Sequence, residues 1–255
     1  MKLKEINKKY QEVCQSISTR KVKNALDILK DLVDESQLGD LKDRLQEVET
    51  TYENILRYTV EGVPDPEREK VYNRLLRSIL KLADQTNEKI LLNVSGWHTF
   101  SLKKELVKEQ KLTGKTVVEK IDDLSFKHQL DEVLSETRVL NTPRQSFESQ
   151  KYTEVISRIF THMMLADEFK EAEKSLIQTL MDEKKFYWYE RSIFVSSVSL
   201  SLLRYFDIQK FKTLFQFFKL GEEEVWQRSF IGLILAFYKY NSRVYLYPEL
   251  IDILN

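Results

Sequence analysis

The chain has 255 residues, of which 42% are apolar and 31% charged, and 40 basic side chains balance 40 acidic ones. The balance holds along the chain, since residues 1–150 carry 26 of each sign and residues 151–255 carry 14 of each. This composition is too apolar for a disordered chain. It also lacks the excess of positive charge with which a protein binds nucleic acid or an anionic membrane surface.

Residues that end or bend helices are scarce. The chain contains six Gly and four Pro, which predicts an all-α fold with long helices. The N-terminus lacks the apolar core of a signal peptide, and the most apolar stretch, residues 230–238, is about half as long as a membrane span. The single cysteine, Cys14, excludes an internal disulfide. We therefore expect a soluble, cytoplasmic protein without a membrane span.

Residues 1–86 are predicted to form a domain of two helical hairpins. Apolar residues at alternating spacings of three and four predict four helices, the first through Leu3, Ile6, Tyr10, Val13 and Ile17. Gly39 is predicted to end the second helix in the left-handed conformation. Asp65 is predicted to cap the fourth helix, with Pro66 at its first position.

Residues 87–150 are predicted to form an irregular helical connector. A turn is expected at 95–100, where Trp97 and Phe100 lie, and helices at 101–111 and 116–137. A polar segment around Pro143 is the predicted boundary.

Residues 151–255 contain an internal repeat of 37 residues. The segment 189–194 matches 226–231, with Arg191-Ser192 aligned to Arg228-Ser229, and Tyr152 continues the register backwards. Three copies predict an α-solenoid of stacked helix pairs. Because the last copy stops inside its second helix, we expect this chain to be the N-terminal part of a longer protein.

The repeats resemble HEAT-like α-solenoids, in which an arginine often lies near the start of an apolar helix, as Arg191 and Arg228 do here. The N-terminal hairpins resemble tetratricopeptide-type helix pairs in length and pattern. The resemblance implies a scaffold or adaptor that binds a protein or peptide. It implies no catalytic residue and no cofactor.

Motifs that would indicate enzyme chemistry are incomplete. Gly114-Lys115-Thr116 resembles part of a phosphate-binding loop, but Glu109 stands where that loop needs glycine, so a capped helix start is favoured. The histidines His98, His128 and His162 lie far apart and predict no metal site. Adjacent acidic residues diverge on helices and do not form a catalytic pair. We therefore expect a protein that is not an enzyme.

Seven residues are candidates for contacting a partner. The aromatic run 186–189 is larger than one helix face can bury, so at least one of its rings is expected to face outward. The arginines could form an anion-binding ladder, but Glu154 interrupts it, which favours bonds from each arginine to a neighbouring turn. The candidates are Tyr187, Trp188, Tyr189, Trp97, Phe100, Arg191 and Arg228.

Two other functions remain open at this level. The chain could regulate or support an enzyme or small-molecule-binding domain that lies beyond residue 255. Alternatively it could self-associate through the apolar end at Ile251–Leu254.

Overall fold

The computed structural model describes residues 3–62, 66–96, 98–108, 112–121, 144–181 and 186–254. The predicted all-α class is confirmed, since these ranges contain twelve helices and no strand. The first six are α1 (Leu3–Ser18), α2 (Val22–Ser36), α3 (Gly39–Val60), α4 (Arg68–Val94), α5 (His98–Lys108) and α6, described over residues 114–121. The others are α7 (Arg144–Leu165), α8 (Glu171–Leu180), α9 (Trp188–Arg204), α10 (Ile208–Leu220), α11 (Val225–Val244) and α12 (Pro248–Leu254). None of these described helices is long and apolar enough to cross a membrane.

The chain divides into two compact units. Unit 1 comprises residues 1–105 and 242–255, and unit 2 comprises residues 106–241. The chain passes between the units twice, first inside α5 and then inside α11, next to Tyr240, whose backbone departs from helical geometry (φ −106°, ψ 17°).

In unit 1, the first helices pack as antiparallel neighbours. The Lys9 amine lies 2.9 Å from the Asp31 carboxylate, and the Asn24 amide donates to the Ser16 hydroxyl at 2.8 Å. Between these two contacts the residue number rises from 9 to 16 along α1 and falls from 31 to 24 along α2, so the two helices are antiparallel. A short connection between two helices leads to this arrangement. Polar contacts between α3 and α4 follow the same rule, at Asp40–Lys89 and Arg44–Gln85.

The apolar stripes of α1 to α4 form the core of unit 1. The stripe predicted for α1 is confirmed, with Ile6, Val13 and Ile17 buried. α1 and α2 are amphipathic because one face of each meets its neighbours, whereas α4 packs against α1, α2 and α3 and is buried more widely. Other fully buried members of this core are Leu29, Leu32, Val33, Leu41, Leu76 and Ile79.

Two predicted helix ends are wrong. Gln37, not Gly39, takes the left-handed conformation after α2 (φ 55°), because its N–H bonds back to the Asp34 carbonyl and closes the last turn there. Gly39 instead begins α3. Pro66 lies in a turn and α4 begins at Arg68, while Asp65 lies outside the described residues.

The connector differs from its predicted form. α4 continues to Val94, past the predicted boundary at residue 86, and α5 begins at His98. Phe100 therefore lies in a helix and is buried, rather than in a turn. The helix predicted from residue 116 begins at 114; its continuation past 121 and the boundary at Pro143 lie outside the described residues.

In unit 2, α7, α9 and α11 run side by side in the same direction. The Ser201 hydroxyl on α9 donates to the Ala166 carbonyl at 3.0 Å, just past the end of α7. On the other side, the Tyr240 hydroxyl on α11 donates to the Leu202 carbonyl at 2.8 Å. α10 ends at Leu220, where Gly221 takes the left-handed conformation (φ 67°) that glycine adopts without strain.

A buried lysine joins the helix ends of unit 2. The Lys210 amine is fully buried and donates to the carbonyls of Ala166 at 2.9 Å, Asp167 at 2.7 Å and Tyr205 at 3.2 Å. These carbonyls follow α7 and α9, where the last turn of a helix leaves acceptors without backbone donors. The positive charge also interacts favourably with the negative ends of both helix dipoles.

Candidate functional site

A buried carboxylate holds the start of α9. Glu190 accepts hydrogen bonds from the Tyr187 backbone N–H at 2.9 Å and from the Tyr152 hydroxyl at 2.5 Å. Burial of the Tyr152 phenol, together with this bond, raises its pKa. The bond to Tyr187 satisfies one of the donors that a helix N-terminus leaves free, so the backbone at this point is fixed.

A buried arginine fixes the same segment from its other side. The Arg191 guanidinium binds both carboxylate oxygens of Glu222, in the turn before α11, and donates to the Phe186 carbonyl. Phe186 is itself buried, edge-on to Phe194 with 5.4 Å between ring centroids. The predicted bond from Arg191 to a neighbouring turn is therefore confirmed, and its guanidinium is occupied within the fold.

Between these anchors the chain displays three aromatic rings, which we call the aromatic surface. Tyr187, Trp188 and Tyr189 are 66%, 49% and 47% exposed. Tyr187 stacks on Tyr189 with 5.5 Å between centroids, and Trp188 meets Tyr189 edge-on at 5.9 Å. The expectation that at least one ring of this run faces outward is confirmed.

The other candidate residues lie elsewhere. Arg228 is exposed on α11, and its guanidinium reaches the Ser196 hydroxyl at 3.4 Å, inside α9, so the predicted bond to a neighbouring turn is wrong for this arginine. Phe100 is buried in unit 1 and is therefore not accessible to a partner. Trp97 lies outside the described residues. Partner binding by the exposed candidates stays a prediction.

A second apolar surface was missed at the level of sequence. Residues 229–238 contain no charge, and their apolar run was considered only as a possible membrane span. In the structure one face of α11 is exposed, with Tyr238 85% accessible. We call it the α11 stripe, and it comprises Phe230, Ile231, Ile234, Leu235 and Tyr238. The helical spacing of these residues was the available signal, but spacing alone does not tell an exposed face from a buried one.

The Gly-Lys-Thr segment is a capped helix start. Thr113 and Thr116 bond reciprocally, each hydroxyl accepting from the other residue's backbone N–H at 3.3 Å and 3.0 Å. A Cβ on Gly114 would lie 2.7 Å from the Ser175 carbonyl oxygen. Glycine is therefore needed here for close packing of α6 on α8, which explains the motif without a phosphate.

Unit 1 contains a buried polar cluster that the sequence did not reveal. The Arg243 guanidinium contacts the two Asp84 carboxylate oxygens at 2.7 and 2.9 Å, the Tyr10 hydroxyl at 2.9 Å and the Cys14 sulfur at 3.1 Å. The Tyr10 hydroxyl in turn donates to Asp84 at 2.6 Å. Burial raises the pKa of the Cys14 thiol, which keeps it protonated and a weak nucleophile. The cluster is therefore structural.

The histidines form no metal centre in the part of the chain that is described. His162 Nε2 lies 3.2 Å from Glu173, and His98 is exposed, whereas His128 falls outside the described ranges. Burial opposes ionisation of Glu173, but hydrogen bonds from His162 and the Lys170 N–H outweigh it, so that the pKa of the carboxyl is lowered. Within the described ranges, no three His, Cys, Asp or Glu side chains are grouped to hold a metal ion.

Comparison with known proteins shows no similarity: no family model matches the sequence, and no curated protein or solved structure matches it either. The functional conclusion therefore depends on the surfaces that the helices present.

Proposed function

We propose that this chain is a protein-binding scaffold in which the part of the predicted repeat that lies in unit 2, residues 151–241, packs as 37-residue helix pairs. Contacts between the connections that follow α7 and α9 support this repeat, because they join residues about one repeat apart. The Asp207 carboxylate accepts from the Phe169 N–H at 2.7 Å, and the Arg204 guanidinium donates to Asp167 at 2.8 Å. These separations are 38 and 37 residues. A stack of similar units brings equivalent positions together in this way.

The proposed architecture is a HEAT-like solenoid preceded by tetratricopeptide-like hairpins. The parallel course of α7, α9 and α11 favours the first part, since successive repeats place their first helices side by side. Antiparallel packing of α1 on α2 and of α3 on α4 favours the second. Both types of fold present extended surfaces to peptides or to helices of other proteins.

The aromatic surface is the observation that carries the proposed function. Tyrosine and tryptophan offer large contact areas at a small entropic cost, and they are enriched among the residues that dominate binding energy. Here Glu190 and Arg191 hold the backbone that displays the rings, so less conformational freedom is lost when a partner binds. Three neighbouring rings provide an apolar contact whose phenol and indole groups can also hydrogen-bond.

The surface favours a partner that brings an apolar face, such as an amphipathic helix. Ile193, which is 39% exposed one turn further along α9, extends the rings along that helix. An apolar strip of this form is matched by side chains that repeat every three or four residues on a partner helix.

The experiment is selection of a displayed library of helix-forming peptides against the purified 255-residue chain. Selected peptides are then synthesised and titrated by fluorescence anisotropy against the wild type and two variants. Trp188→Ala should weaken binding by about 30-fold or more, as expected for a central anchor. Tyr58→Ala, which removes a ring of similar exposure (54%) from α3, is the matched control and should bind as the wild type does.

Circular dichroism should show the same helix content in both variants, because both rings are about half exposed. Peptides that bind Trp188→Ala as tightly as the wild type would contradict the proposed site. A library that yields no binder in repeated selections would contradict the proposed function itself.

A further inference from the structure

The exposed part of the α11 stripe is large. At about 200 Å² for a large side chain, its five residues expose about 600 Å². Leu200, which is exposed on α9, raises the total to about 660 Å². Surfaces of monomers rarely leave a contiguous apolar patch beyond about 600 Å², and a stable interface buries about 800 Å² on each partner. The area therefore matches that of a protein–protein interface.

Close packing of α11 on α9 makes this surface continuous. Gly232 faces α9, where a Cβ would lie 2.9 Å from the Ser199 Cβ, so only glycine allows this approach. Leu200 directly follows Ser199, the residue that Gly232 approaches. At the two ends of the stripe, Arg228 and Lys239 bond to α9, which leaves the middle of the face without charge.

We propose that the α11 stripe is the interface of a homodimer, in which α11 of one copy packs antiparallel on α11 of a second copy. Its central exposed residues, Gln227, Ile231, Ile234 and Tyr238, follow spacings of four, three and four. This pattern is the same in both directions along the helix. In an antiparallel pair, Ile231 therefore meets Ile234 of the partner copy, and Gln227 lies beside the partner's Tyr238.

A second copy fits this surface better than an unrelated chain does. The run 229–238 has no charged residue with which to select a partner of opposite charge. A two-fold interface needs only a surface that complements itself, and the symmetrical spacing provides this. Antiparallel helices also oppose their dipoles favourably. The dimer does not rest on the proposed peptide site, since it uses other residues.

The first test is sedimentation velocity of the full 255-residue chain over a range of concentrations. The wild type should dimerise, and Ile234→Lys and Tyr238→Lys should each raise the dimer dissociation constant by at least about 100-fold. Leu56→Lys, at a similarly exposed site on α3, is the control and should leave it unchanged. Tyr238 is so exposed that its replacement does not disturb the fold, which unchanged thermal unfolding should verify. A monomeric wild type, or dimers of unchanged strength in both variants, would overturn the proposal.

The second test measures orientation with single added cysteines and a short bis-maleimide. In the antiparallel pair, residue 234 lies about 5 Å along the axis from its symmetry mate, whereas residue 238 lies about 16 Å away. Ile234→Cys should therefore cross-link and Tyr238→Cys should not, with the wild type, whose one cysteine is Cys14, as background. Cross-linking at both positions would show parallel helices and overturn the arrangement. Trp188→Ala should dimerise normally, so that failure of the peptide site and failure of the dimer are distinguishable.

Discussion

Removal of the Arg243 guanidinium is expected to destabilise unit 1 strongly. Arg243→Met keeps most of the apolar stem but leaves the Asp84 carboxylate buried, with the Tyr10 hydroxyl as its remaining partner in the cluster. Breaking one side of a buried ion pair costs about 3–5 kcal/mol, because the other charge stays desolvated without compensation. We therefore expect the free energy of unfolding of unit 1 to fall by about 4 kcal/mol.

The double variant Asp84→Leu/Arg243→Met separates the cost of an unpaired charge from the value of the pair. Two buried charges can be exchanged for apolar side chains at little cost, because desolvation of both charges offsets most of their attraction. The double variant should therefore be at least as stable as either single variant. The resulting coupling energy should be about 3 kcal/mol or more.

Cys14 provides the assay. It is the only cysteine, and it accepts a hydrogen bond from Arg243, so its rate of alkylation in urea reports opening of this part of unit 1. Circular dichroism alone would average the two units, which need not unfold together. Lys42→Met, which removes an exposed ion pair with Asp34, is the control and should change the alkylation profile little. A cost below about 1 kcal/mol for Arg243→Met, or costs that simply add in the double variant, would refute the reasoning.

Three further substitutions have specific expected outcomes. Lys210→Met leaves carbonyls at two helix ends without their donor and should destabilise unit 2 by about 3 kcal/mol in urea unfolding; a cost below about 1 kcal/mol would contradict this role. Gly114→Ala should cost at least about 1 kcal/mol, because the Ser175 carbonyl has to move, and ATP should not raise the melting temperature of either form. Burial raises the pKa of Tyr247 to about 12 from 10.0, so this phenol ionises first in the unfolded chain and should by itself contribute a loss of up to about 3 kcal/mol between pH 10 and 12. Tyr247→Phe should lose less stability over that range, and an equal loss would contradict it.

The helices could be predicted from the sequence because apolar residues recur at helical spacing on the face that is buried. Ile6, Val13 and Ile17 repeat at helical spacing since one face of α1 meets its neighbours. Helix ends were less predictable, as Gln37 shows: a residue other than glycine can take the left-handed conformation where its N–H closes the last turn of the helix. The prediction that Arg191 bonds a neighbouring turn came from the sequence match between residues 189–194 and 226–231, and the contact with Glu222 agrees with it.

Buried polar clusters could not be predicted from local patterns. Asp84 and Arg243 are 159 residues apart, and nothing near either residue indicates the other. The sequence register assigned residues 242–255 to the third repeat, whereas in the structure they belong to unit 1, where Leu246 joins the apolar core. A repeat in the sequence predicts the order of the helices. It does not predict which of the two cores a helix packs into, because that depends on contacts with residues far away in the sequence.

The candidate surfaces show a related limit, and α11 makes it clearest. From residue 230 to 238 this helix is apolar on every side, with Leu233 and Ala236 buried and Ile234 and Tyr238 exposed. An all-round apolar helix is ordinarily covered on every side. A periodic pattern indicates that a helix face is apolar, but it does not indicate what covers that face. Apolar side chains are favoured equally where the chain's own core covers them and where a second molecule does. Substitution separates the two cases, since Tyr238→Lys should leave folding intact and abolish association only where the cover is another molecule.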